Sequence, residues 1–224
     1  MAATIQLDVD RILKVLNTYN GRDKTIRTIY FSLIMLSTKV KNAEFAQRIF
    51  ALAKQLSLTR LVLRQLNHLP LIVSLLRARK DVAISTDKLD TGMNATVTLI
   101  YSVQVFVEFS AWIADAKLIG LDAPKWFRWA LYLWIGAMFV GVLRLLRRIF
   151  YLEPLHDHLY GVPTDKKQLE IRQSDRVTLV GLGADFIAGV STLPHKFLWA
   201  GALSKQTSAT LSLVASVVGL YKCF

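Results

Sequence analysis

The sequence predicts an all-α membrane protein, in which amphipathic N-terminal helices precede about two to four membrane-inserted hydrophobic helices. Hydrophobic residues make up 53% of the 224 residues and the mean hydropathy is +0.38, above the usual composition of soluble domains. Residues 126–143 form an apolar stretch with a single charge. The net charge of +12 favours an anionic partner such as lipid headgroups. We therefore expect an amphipathic membrane-surface region over residues 1–90 and a hydrophobic, membrane-embedded region over residues 91–224.

The first two predicted helices are short and amphipathic. Apolar residues around Ile12 to Leu16 follow two aspartates that could cap a helix. The Asn20-Gly21 pair predicts a break, because both residues favour turns. A second helix is predicted from about Asp23, where apolar residues recur at helical spacing through Leu36.

The third predicted helix, residues 42–66, is typical of a helix that binds a membrane surface. At 100° per residue its apolar side chains fall within about 40° of Phe45 around the helix. We predict that these side chains form a membrane-insertion face: Phe45, Ile49, Leu52, Leu56 and Leu63. Its basic residues are predicted to contact anionic lipid headgroups: Arg48, Lys54, Arg60 and Arg64.

An interfacial helix of this kind buries its apolar face about 5–10 Å into one leaflet. Because it adds area to that leaflet alone, it favours curvature of the bilayer. An ordinary core helix of a soluble bundle explains the same amphipathicity equally well. The basic polar face and the apolar segments downstream favour the membrane.

Two downstream segments are long enough to span a bilayer, which requires about 20 apolar residues. Residues 94–114 form the first, although Glu108 within it would be costly in lipid unless it faces a partner. Residues 126–143 form the stronger candidate, with tryptophans and tyrosine near one end. Arg144, Arg147 and Arg148 end it at the other, where they can reach the headgroups.

The last third of the chain is less regular. Residues 150–176 predict a loop and a short helix. Residues 177–203 carry Asp185 and Pro194, so we expect two pieces rather than one span. Residues 207–221 are uncharged and rich in small residues, which suits the inner face of a helix pair.

No motif predicts an enzyme, a cofactor or a metal. The Gly181-Leu182-Gly183 turn lacks the third glycine of a dinucleotide-binding loop, since that position is Phe186. The cluster of Glu153, His156, Asp157 and His158 matches no zinc spacing and is better explained as a solvated loop. The arginines lie beside an apolar span without the stacking aromatics that a nucleic-acid site requires. The single cysteine, Cys223, excludes an intrachain disulfide.

The chain as a whole resembles the peroxin-eleven family of peroxisomal elongation and proliferation factors. The motif Gly21-Arg22-Asp23-Lys24 resembles the N-terminal signature of the family. Residues 45–66 correspond to the amphipathic helix with which the family remodels membranes. Residues 184–188, 198–201 and 211–221 are also similar, closest to the gamma-type branch.

The resemblance implies a non-enzymatic integral protein of the peroxisomal membrane, whose N-terminal region faces the cytosol. It also implies self-association, membrane elongation, and cooperation with a dynamin-type GTPase and its adaptors in peroxisome division. A rival hypothesis is a pore for small metabolites, lined by the intramembrane polar residues Glu108, Asp185 and Arg144.

Overall fold

The computed structural model describes residues 2–65, 68–194 and 197–224, with side chains from residue 9 onward. Within these ranges the regular structure is helical and contains no strand, which confirms the predicted fold class. The helices are α1 (Ala2–Leu16), α2 (Tyr19–Lys39), α3 (Ala43–Arg64), α4 (His68–Ile84), α5 (Lys88–Asp115), α6 (Ala123–Arg147), α7 (Glu153–Tyr160), α8 (Lys166–Ser191) and α9 (Lys205–Tyr221). A π-helical turn, Arg148–Leu152, joins α6 to α7.

The chain divides into two compact units. The first comprises the residues up to Leu63 together with Gly183–Phe224, and the second comprises Arg64–Leu182. Both α3 and α8 therefore contribute residues to each unit. The predicted division near residue 90 concerned contact with a membrane, and it stays a prediction.

In the first unit, α2 packs along α9. The α9 residues buried by this contact and its surroundings are small: Ala209, Ser212, Ala215 and Ser216. Small side chains let two helix backbones approach closely. The predicted role of this segment as one member of a close helix pair agrees with this packing.

The break between α1 and α2 falls earlier than predicted. The Thr18 hydroxyl accepts a hydrogen bond from the Gly21 N–H at 3.0 Å and donates one to the Val15 carbonyl at 2.8 Å. Thr18 is therefore the N-cap of α2, and Asn20 and Gly21 lie inside the first turn of that helix. The prediction of a break at Asn20-Gly21 was wrong because a side-chain cap two residues earlier starts the helix.

The second unit is built around the α5–α6 pair, with α4 packed on α5. Two helical segments, Lys88–Asp115 and Ala123–Tyr160, are long and apolar enough to cross a membrane. They contain the two predicted spans, residues 94–114 and 126–143. Asp122 caps α6 by accepting a hydrogen bond from the Lys125 N–H at 3.1 Å.

Candidate functional site

Three buried charged side chains and one half-buried arginine connect three helices of the first unit. On α2, Asp23 accepts hydrogen bonds from two nitrogens of Arg60 on α3, Nε at 2.9 Å and Nη2 at 3.3 Å. One turn further along α2, Arg27 donates a hydrogen bond from Nη2 to Oδ1 of Asp185 on α8. We call Asp23, Arg27, Arg60 and Asp185 the charge cluster. It ties α2 to α3 and to the end of α8.

The spacing within α2 places both of its members on one face. Residues four apart on a helix are neighbours, so Asp23 and Arg27 point in the same direction. They bind different partners instead of each other. The aspartates and Arg27 are each at most 8% exposed, so these charges depend on their partners for stabilisation.

Lys24 lies next to this cluster. Its carbon chain packs against Gly219 of α9, with Cδ 3.2 Å from the position that a Cβ would take there. Burial lowers the pKa of the Lys24 ammonium below its ordinary value, and the neighbouring Arg27 guanidinium lowers it further. Lys24 therefore contributes mainly its aliphatic stem to the packing of α2 on α9.

Gly21 permits the close approach of α1 and α2. A Cβ at this position would lie 2.0 Å from the carbonyl oxygen of Val15, closer than any van der Waals contact allows. Three of the four residues of the motif at positions 21–24 therefore have a structural role: Gly21, Asp23 and Lys24. Arg22, the fourth, is exposed.

Replacing Gly21 with alanine is expected to lower the free energy of unfolding by about 1–3 kcal/mol, the typical cost of overpacking. The backbone of Val15 must move to admit the new methyl group. Gly92→Ala is a matched control, because a Cβ there meets nothing within 4 Å and alanine favours helix. Thermal unfolding of both variants in detergent micelles measures the difference, and equal midpoints would contradict the steric argument.

The predicted insertion face on α3 is divided by the packing of this helix. Phe45 and Leu52 are 54% and 55% exposed, whereas Ile49 is only 7% exposed. Leu56 and Leu63 are half-buried. Other large apolar side chains of α3 are exposed as well: Phe50, Leu58 and Val62. One part of the predicted insertion face is therefore buried within the protein, and only the other part is available to a membrane.

The basic residues of α3 have two kinds of environment. Arg48 is exposed and pairs with Glu44 one turn away, and Lys54 is exposed. Arg60 belongs to the charge cluster, and Arg64 donates a hydrogen bond from Nη2 to Glu108 Oε1 at 2.7 Å. Headgroup contact by all four residues stays a prediction. In the structure, Arg60 and Arg64 bind carboxylates of the chain itself.

In the second unit, charged side chains of the apolar helices form ion pairs with oppositely charged side chains. Glu108 on α5 is buried and binds Arg64. At the other end of α5, Arg144 of α6 donates to both carboxylate oxygens of Asp90, at 2.9 and 3.1 Å, and to Asn94 Oδ1 at 2.8 Å. Arg147 donates to Asp87 Oδ2 at 2.8 Å. These pairs offset the cost of placing charged groups on apolar helices.

The two acidic residues considered for metal binding are bound to arginines instead. Asp157 accepts two hydrogen bonds from Arg172, at 2.7 and 2.9 Å, and Glu153 accepts one from Arg176 at 2.9 Å. Among the described residues, no group of three histidine, cysteine or acidic side chains is arranged to hold a metal ion.

The charge cluster was missed at the level of sequence. Its two ion pairs join residues 37 and 158 positions apart, which no local pattern reveals. A partial signal was present, since Asp185 is a lone charge in an apolar segment and Asp23 and Arg27 share one face of α2. Each feature indicates a need for a partner without naming it.

Comparison with known proteins gives a consistent result. The family model described as Peroxisomal biogenesis factor 11 (PEX11) matches residues 9–224. The chain is 24% identical to Peroxisomal membrane protein 11C of Homo sapiens over 226 residues, which covers 94% of this chain and 92% of that protein. The protein of the same name from Mus musculus is 24% identical over 225 residues, with the same coverage. No solved structure matches the chain.

The match extends over α2, α3, α8 and α9, so it includes all four residues of the charge cluster. It also includes both candidate spans. The chain therefore belongs to the PEX11 family of peroxisomal biogenesis factors.

Proposed function

We propose that the chain is a membrane-shaping factor of the peroxisome, which promotes membrane elongation and division by shallow insertion of α3 and by self-association. Membership of the PEX11 family supports a general role in peroxisome proliferation. The observation that carries the mechanism is the exposure of large apolar side chains on α3, above all Phe45 and Leu52. Exposed apolar surface of this kind is typical of sites that contact a membrane or another protein.

The proposal assigns different roles to the two sides of α3. Phe45 and Leu52 enter the outer part of one leaflet, while Arg48 and Lys54 lie at the level of anionic headgroups. Arg60 lies about 60–80° around the helix from Phe45 and Leu52, so its ion pair with Asp23 holds an adjacent side of α3 on α2. The helix can thus insert while it remains attached to the rest of the first unit.

The remaining parts of the proposal rest on family membership. They place the protein in the peroxisomal membrane with its N-terminal region in the cytosol, as a homo-oligomer that acts with a dynamin-type GTPase and its adaptors. The relatives are named as peroxisomal membrane proteins, which supports this location. The two candidate spans, α5 and the segment that starts with α6, support integral insertion.

A pore receives no comparable support. Its proposed lining residues are Glu108, Asp185 and Arg144, and each binds an oppositely charged side chain. Asp185 belongs to the first unit and the other two to the second. Structural ion pairs within the two units account for all three residues.

A peptide of residues 42–66 is expected to bind anionic liposomes and to convert spheres into tubules, because its apolar face expands one leaflet only. Electron microscopy of the vesicles measures the change, and liposomes of neutral lipid serve as the control. If the anionic vesicles stay spherical while the peptide is bound, insertion of α3 does not generate curvature.

A further inference from the structure

The helix α4 has an exposed apolar face that the proposed function does not use. Leu69 and Leu76 are 75% and 59% exposed, and Ile72 and Val73 between them are exposed as well. At 100° per residue these four side chains span about 100° of the helix surface. The opposite side, which includes Ala78, is buried. The helix is therefore apolar on two sides, of which only one is covered.

Contacts at both ends show that α4 runs antiparallel to α5. At one end, the Ser85 hydroxyl lies 2.6 Å from the hydroxyl of Thr91. At the other, the His68 ring packs against Phe106 and Phe109, with ring centroids 4.9 and 5.3 Å apart. The whole of α4 therefore lies beside a helix that is apolar and long enough to cross a membrane.

The part of α5 beside which α4 lies determines how deep the exposed face of α4 would be in a bilayer. Between Thr91 and Phe109, α5 itself exposes Leu99, Val103 and Phe106. Since α4 runs alongside this part of α5, its exposed leucines lie at the same level as these residues. Any bilayer that surrounds α5 there also surrounds the exposed face of α4.

A cluster of cations follows the apolar face. Arg77, Arg79 and Lys80 are exposed, and Asp81 is the only acidic residue beside them. Among the described residues, none of these four side chains forms an ion pair. The antiparallel packing puts them toward the end of α5 where Arg144 and Arg147 bind Asp90 and Asp87. Cations at this end match the anionic surface of a bilayer.

We propose that α4 is a lipid-facing helix that occupies one leaflet beside the α5–α6 pair. Leu69, Ile72, Val73 and Leu76 contact acyl chains, and the cluster of Arg77, Arg79 and Lys80 binds phosphate headgroups. From Leu69 to Lys80 the helix rises about 16 Å, close to half of a hydrocarbon core of about 30 Å. The inference rests on the proposed membrane insertion of α5, and it concerns a helix that the proposed function leaves without a role.

Fluorescence quenching in proteoliposomes tests the depth of α4. Cys223 is the only cysteine, so Cys223→Ser provides a cysteine-free protein. Single cysteines replace Leu69, Ile72 or Leu76 in the full chain and are labelled with a small environment-sensitive fluorophore. Anionic bilayers carry bromine at one of several depths along the acyl chains. We expect all three positions to be quenched, with Leu69 about 10 Å deeper than Leu76, since seven residues separate them.

Two reference positions make the outcome unambiguous. Leu99→Cys reports insertion of α5, and Lys166→Cys, on a residue whose side chain is 91% exposed, reports the aqueous phase. If position 99 is quenched while 69, 72 and 76 behave like 166, a protein partner or water covers α4 and the inference fails, although α5 is inserted. Equal shallow depth for the three α4 positions also overturns it. If position 99 is not quenched, the proposed membrane insertion fails as well.

Discussion

Asp185→Ala is expected to lower the free energy of unfolding by about 3–5 kcal/mol, the usual cost of removing one partner of a buried ion pair. The substitution leaves the Arg27 guanidinium buried without its carboxylate. Because that pair joins α2 to α8, the loss affects the packing of the whole first unit. Denaturant unfolding of the full chain in detergent micelles, followed by circular dichroism, measures the change.

A matched control lies on the same helix. Glu170 is exposed and pairs with Lys166 one turn away at 3.9 Å, so Glu170→Ala should cost less than about 0.5 kcal/mol. The double variant Arg27→Leu, Asp185→Leu should regain most of the lost stability, because two apolar side chains leave no buried charge unpaired. Asp185→Ala and Glu170→Ala with the same unfolding midpoint would contradict the structural role of the pair.

The double variant Phe45→Glu, Leu52→Glu is expected to weaken binding of the full chain's α3 to anionic membranes and to abolish tubulation. Each buried apolar side chain contributes roughly 1.5–3 kcal/mol, so the loss of two corresponds to at least about a 100-fold weaker insertion of α3. Both residues are exposed, so the fold should tolerate the change. Tubule formation by proteoliposomes, scored by electron microscopy, gives the readout.

Gln47→Glu, Gln55→Glu provides the charge-matched control. It adds the same two negative charges to α3, at exposed positions on the polar side of the helix. We expect it to retain tubulation, with at most a modest loss from weaker attraction to anionic lipids. If both double variants lose tubulation equally, charge and not apolar insertion governs the activity, and the proposed mechanism is wrong.

The parts of the fold that depend on local pattern could be predicted. The apolar stretch of residues 126–143 lies within α6, with Arg144 and Arg147 in the last turn, since length and composition alone determine such a segment. Arg148 lies in the π-helical turn that follows. The periodicity of residues 42–66 likewise identified α3. Glu108 indicated that its helix needs a partner, because a carboxylate is costly on an apolar helix.

The parts that depend on distant contacts could not be predicted. Nothing near Asp23 in the sequence indicates Arg60, and the side of α3 that packs inward could not be separated from the side that stays exposed. Amphipathicity locates an apolar face but does not say what covers it. For this reason Ile49 and Phe45 received the same role, although the structure buries one and exposes the other.

The long separation between Arg27 and Asp185 has a consequence for biosynthesis. The two residues lie 158 positions apart, so α2 emerges from the ribosome well before its partner helix exists. At about 5–20 residues per second, synthesis of the intervening segment takes roughly 8–30 s. During that interval the Arg27 guanidinium lacks its Asp185 partner, and the α9-binding surface of α2 is uncovered. The N-terminal helices therefore need solvent or a chaperone until α8 and α9 are complete, and the first unit assembles only after α9 has been synthesised.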